Sequence, residues 1–131
     1  VDRMWRFGEL AGIAFQVKDD LFDFEKGNRT GKPAGTDIRD RKMTLPLIYL
    51  LNHAGFSDKR WIINTVKNHH HDNERVARLM KMVSESGGLE YAREKMLEYR
   101  QQALDILDSF PDSDYRRSLR QLVIFTTERS A

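Results

Sequence analysis

The sequence predicts an all-α protein. Apolar residues recur at three- and four-residue intervals along nearly the whole chain, the spacing at which one face of a helix meets a core. No stretch alternates apolar and polar residues long enough to make a half-buried strand. Hydrophobic residues at 40% and charged residues at 32% supply both a core and a solvated surface.

Taken in order, the periodicity predicts helices over 2–26, 42–54, 58–69, 73–86, 89–109 and 113–128. The second, residues 42–54, is preceded by residues 27–41 (GNRTGKPAGTDIRDR), whose glycines, proline and low apolar content predict the one long loop. Ser57-Asp58 and Asp72-Asn73 offer N-caps for the third and fourth helices. Gly87-Gly88 breaks the fourth, and Pro111-Asp112 starts the sixth. The fifth carries Leu89, Ala92, Met96, Tyr99, Ala103, Ile106 and Phe110 on one face, a core stripe. No repeat or linker divides the chain, so one domain, or part of one, is expected.

The bulk properties exclude several classes. There is no cysteine, so disulfides, thiolate metal sites and cysteine nucleophiles are all ruled out, in keeping with a reducing, cytoplasmic setting. No apolar run approaches the length of a membrane span. A net charge of +2, with both signs interspersed, gives no argument for nucleic acid.

One cluster breaks the helix rules. Asp19, Asp20 and Asp23 fall on an arc about 100° wide at 3.6 residues per turn. Two carboxylates about 6 Å apart repel by roughly 3 kcal/mol at an effective dielectric near 20. The helix ends soon after, near Gly27, so these acids also lie where the macrodipole is already negative. Such violations gather at functional sites, and a hard divalent cation with oxygen ligands, Mg²⁺ first, would relieve them. On this logic, neutralising any one of the three should stabilise the metal-free helix. Gln16 lies within about 40° of Asp20 and about 20° of Asp23 on the same helix, and Gly12 leaves that face bare one turn earlier. Lys32 in the loop and Lys42 at the start of the next helix are ammonium groups suited to a phosphate.

These residues resemble a known family. Gly12 to Asp23 (GIAFQVKDDLFD) is similar to the second aspartate-rich motif of trans-isoprenyl diphosphate synthases, the polyprenyl synthetases. Gly31-Lys32-Pro33-Ala34-Gly35-Thr36-Asp37 resembles the loop that follows it, and Lys42-Met43-Thr44-Leu45-Pro46 the lysine-led start of the next helix. The three occur in order over residues 8–46; the later helices, with Gly88 to Ala92 and Arg129, are less diagnostic. The resemblance implies the C-terminal helices of the isoprenoid synthase bundle, residues 1–131 being the C-terminal part of one polyprenyl synthetase domain whose N-terminal half is missing. It implies a Mg²⁺-dependent prenyltransferase that condenses an allylic diphosphate with isopentenyl diphosphate, working as a homodimer with peripheral membrane contact through its product. Asp19 matches a direct metal ligand, while Asp20, Asp23 and Asp37 match acids acting through metal-bound water. Lys32 and Lys42 match lysines that grip the allylic diphosphate, and Gln16 a glutamine facing the allylic cation. The first aspartate-rich motif is absent, so the chain alone is expected to be inactive. Thr44-Leu45-Pro46-Leu47-Ile48 looks more like polyprenyl than short-chain synthases.

Two other functions are weighed. A class I terpene cyclase shares the helical cavity but uses an Asn/Asp, Ser/Thr, Glu pattern in place of Asp19-Asp20-x-x-Asp23. A non-catalytic partner subunit would tend to lose the acids, and none is lost here. Outside this region the expectations are structural. His69-His70-His71 point about 100° apart on a helix and cannot converge on one ion, so they read as a polar turn. Trp5 and Trp61 read as partial core or interface, and Met80, Met82 and Met96 as gap-filling core. Lys26, Arg29, Arg39 and Arg41 form a basic rim.

Overall fold

The structure, a computed structural model, describes residues 2–25 and 35–128. Among the described residues there are seven helices and no strand: α1 Asp2–Glu25, α2 Thr36–Arg39, α3 Leu45–His53, α4 Phe56–Asn68, α5 Asn73–Ser86, α6 Gly88–Asp108 and α7 Asp114–Glu128. Contacts group them into two units. One takes α1 through Asp19, α6 from Arg93 onward and α7; the other spans Asp20–Ala92.

In the first unit, Phe7 and Leu10 of α1 bury against Ala103, Leu104 and Leu107 of α6 and Val123 of α7. Arg3 ties the helix start to the end of α6: its guanidinium donates to Ser109 Oγ at 3.0 Å and lies 4.4 Å from the Phe110 ring centroid. Ser113, rather than Pro111-Asp112, starts α7, its hydroxyl accepting from Arg116 N–H at 3.0 Å. Trp5 is 76% exposed and no part of this core, which leaves the interface half of its reading.

In the second unit, Phe24, Ile38, Leu47, Leu50, Ile62, Val66, Val76, Leu79 and Val83 form one core, with Trp61, Met80, Met82 and Leu89 packed on it. Trp61 also lies under two guanidinium groups, Arg75 and Arg78, at 5.1 and 4.8 Å. α5 has the ends the sequence indicates: the Asp72 carboxylate accepts from Glu74 and Arg75 N–H, and Gly87 closes the helix at φ 89°. Gly88 must be glycine for a different reason. A Cβ there would stand 2.7 Å from the Pro46 carbonyl oxygen.

Three segments differ from the sequence reading by more than one residue. α3 begins at Leu45 rather than 42, because Thr44 is extended at ψ 164° and Pro46 sits in the first turn, where a missing N–H costs nothing. α4 begins at Phe56 with Gly55 as its cap, which places Ser57 and Asp58 inside the first turn instead of at its start. The stretch read as loop over 27–41 contains α2, anchored by Ile38, which is only 1% exposed.

Candidate metal and diphosphate site

The site in the unit Asp20–Ala92 is built around α2. Asp23, near the end of α1, is buried, and each of its carboxylate oxygens accepts one backbone hydrogen bond, from Thr36 N–H and Asp37 N–H, both at 3.1 Å. A carboxylate from another helix thus caps the amino end of α2, where Gly35 at φ 84° has no side chain to do so. At the carboxyl end, Arg41 N–H donates to Ile38 C=O at 3.0 Å and Lys42 N–H donates to Asp37 C=O at 2.7 Å. That bond pair is the Schellman motif, whose left-handed position usually holds glycine. Here it holds Arg41 at φ 60°, a conformation that costs a residue with a Cβ roughly 1–2 kcal/mol.

Lys42 leaves this turn with its ammonium 3.6 Å from Asp20 Oδ1. Asp20 is buried at 6% exposure, while the Lys42 side chain is about half exposed, so the lysine can both neutralise the acid and meet a ligand from solvent. Asp37 is half-buried at the start of α2. Arg41 Nε donates to His70 Nε2 at 2.9 Å, joining the turn to the connection between α4 and α5. Burial, then the neighbouring His71 and Arg41, holds the His70 imidazole below the ordinary histidine pKa.

The other candidates stand differently. Asp19 and Gln16 are exposed on α1, and a Cβ at Gly12 would meet nothing within 4 Å. Lys32 lies outside the described residues, as do Lys26, Arg29 and Arg129. Among the described residues no group of three or more His, Cys, Asp or Glu side chains is placed to hold a metal ion. The charge strain read from the sequence is instead met in part within the protein: Asp23 by two amides and Asp20 by Lys42. The sequence reading placed Arg41 only in a basic rim and His70 only in a polar turn, not in contact with each other. Its one available signal was a non-glycine residue closing a turn before Lys42, and no periodicity reveals that.

No helix among the described residues is long and apolar enough to cross a membrane. The polyprenyl synthetase family profile matches residues 1–83. A nonaprenyl diphosphate synthase from Mycobacterium tuberculosis is 33% identical over 98% of this chain and 38% of its own length. The crystal structure of a geranylgeranyl pyrophosphate synthase from Bacteroides thetaiotaomicron superposes at TM-score 0.84 with 34% identity, covering 95% of this chain and 41% of that one. That of a polyprenyl synthase from Caulobacter crescentus, complexed with calcium and isoprenyl diphosphate, superposes at 0.83 with 27% identity over 99% of this chain and 40% of that one. The chain therefore spans about two fifths of the length of the relatives it matches.

Proposed function

The chain belongs to the polyprenyl synthetase family, and from that premise we propose that the protein carrying it is a prenyltransferase, lengthening an allylic prenyl diphosphate by one isopentenyl diphosphate at a time. The observation that carries the proposal is Lys42, a half-exposed ammonium set against buried Asp20 on a turn whose helix Asp23 clamps. Such a cation suits an anionic leaving group. In the reaction, the bond between the allylic carbon and diphosphate oxygen breaks with its electrons on the diphosphate. The isopentenyl double bond attacks the resulting cation, and a proton is then lost. Lys42, with Lys32, neutralises the departing oxygens, which is stabilisation where charge develops. Gln16 turns its amide dipole to the cation.

The carboxylates fit Mg²⁺ as a partial set. Magnesium is commonly held by one or two carboxylates together with substrate phosphates and water. Asp19, exposed, would bind it directly, and Asp20, Asp23 and Asp37 through water. When bound, the ion adds positive charge against the diphosphate. The Caulobacter relative's complex with calcium and isoprenyl diphosphate supports this pairing of ligands. A cytoplasmic homodimer touching membranes through its product completes the proposal.

The test is turnover by the full-length protein with Mg²⁺, an allylic diphosphate and labelled isopentenyl diphosphate. A lengthened prenyl diphosphate is expected, and Lys42→Ala should raise the allylic KM and slow ionisation while changing the isopentenyl KM less. A product without incorporated label, or the reverse ranking of KM effects, would overturn the assignment. The 131-residue chain alone should give no turnover.

A further inference from the structure

The turn that presents Lys42 is strained, and something must hold it. Arg41 takes the left-handed conformation at φ 60° that glycine usually fills, yet it is followed at once by the lysine that reaches Asp20. Its guanidinium runs to His70 Nε2 at 2.9 Å. His70 is itself on a fixed support. The connection between α4 and α5 is closed by His69 N–H to Thr65 C=O at 2.9 Å and Asp72 N–H to His69 C=O at 3.1 Å, and Asp72 then caps α5.

The chemistry of the contact is one-directional. A guanidinium Nε–H can only donate, so His70 Nε2 must be the unprotonated nitrogen and the ring proton must sit on Nδ1. Nδ1 is buried and has no hydrogen-bond partner among the described residues. A buried donor left unsatisfied is unfavourable, so the orientation is retained for what the other nitrogen does.

We propose that His70 is a positioning residue: by accepting from Arg41 Nε it holds the left-handed turn that aims Lys42, and through Lys42 it sets the grip on the allylic diphosphate. The inference rests on the reading of Lys42 given above. It assigns the middle of a three-histidine run, which otherwise reads as a polar turn, a part in substrate binding.

The experiment is a mutant cycle in the full-length enzyme, with KM read separately for each substrate. His70→Phe keeps a planar ring and deletes the acceptor; it should raise the allylic KM about tenfold, the usual worth of a hydrogen bond to a charged group, and leave the isopentenyl KM within about twofold. His70→Gln, whose amide oxygen can stand where Nε2 stood, should restore most of the loss. In a Lys42→Ala background His70→Phe should add nothing. Should His70→Phe fail to fold, Arg41→Met deletes the donor from the other side and should raise the same constant by a similar factor. Equal loss on both substrates, no rescue by glutamine, or effects that add to those of Lys42→Ala would overturn the proposal. If Lys42→Ala is damaging and both contact variants are silent, only the role of His70 falls. If Lys42→Ala is itself silent, the reading of the site falls, and the role of His70 with it.

Discussion

Replacing Asp23 with asparagine keeps the size of the side chain and turns one of its two acceptor oxygens into a donor. In the structure both oxygens are in use, on Thr36 N–H and Asp37 N–H at 3.1 Å. One amide must therefore face an NH₂ group. A hydrogen bond to a charged partner is worth about 1.5–3 kcal/mol, and its loss is opposed by relief of like-charge repulsion along α1. That relief is small, about 0.2–0.5 kcal/mol for helical neighbours, because Asp19 is exposed and Asp20 is already paired with Lys42. The net cost is about 1–2.8 kcal/mol, the reverse of the stabilisation that three unrelieved charges would imply. The assay is amide hydrogen exchange over residues 35–42 in the metal-free, full-length protein. Opening of α2 should speed exchange there roughly 5- to 100-fold, at a factor of ten per 1.4 kcal/mol. Asp19→Asn, on the exposed side of the helix, should leave the same segment unchanged. Unchanged or slower exchange in Asp23→Asn would refute the clamp.

Asp19→Asn should instead lose catalysis, about 10²–10³-fold in kcat at saturating Mg²⁺, with no loss of melting temperature without metal; near-normal turnover would remove Asp19 as the direct ligand. Gly88→Ala brings a Cβ to 2.7 Å from a backbone oxygen that cannot swing away, and should cost roughly 1–3 kcal/mol by denaturant titration. Gly12→Ala meets nothing within 4 Å and should stabilise the 131-residue chain by about 0.5–1 kcal/mol; the opposite order would show that the α1 and α6 surroundings are misassigned. His70 titrates below the ordinary histidine value of 6.5 because of burial, His71 and Arg41. The unfolded chain therefore binds the proton first, so the stability of the wild type relative to His70→Gln should be constant above about pH 7 and fall as pH falls through and below 6.5. A melting-temperature difference that widens in acid would contradict this.

The elements that could be read from the sequence are those whose information is local. α5 has Asp72 to open it and Gly87 to close it, and its bounds, Asn73–Ser86, match the expected 73–86. On α1, Phe7, Leu10, Ala14, Val17, Leu21 and Phe24 recur at alternating intervals of three and four and are all buried. α2 carries no such information. With four residues it has no period, its single anchor is Ile38, and its two ends are satisfied by Asp23 and by a turn tied to His70, thirteen or more positions away. A stretch of glycine, threonine and aspartate reads as loop unless those distant partners are known.

The acidic cluster shows the same limit in electrostatics. Three aspartates within one turn mark the right helix, since the repulsion they create has to be relieved somewhere. The sequence counts those charges as alike, and the fold separates them. Asp23 spends its charge on two amides and so fixes α2; Asp20, 6% exposed, is neutralised by the lysine that α2 delivers; Asp19 alone stays exposed. The Lys42–Asp20 contact at 3.6 Å involves a half-exposed ammonium, and an ion pair that solvent reaches contributes little. The division of labour follows from burial and partners, and it makes Asp23 the acid whose loss should be felt in the fold and Asp19 the one whose loss should be felt in the chemistry.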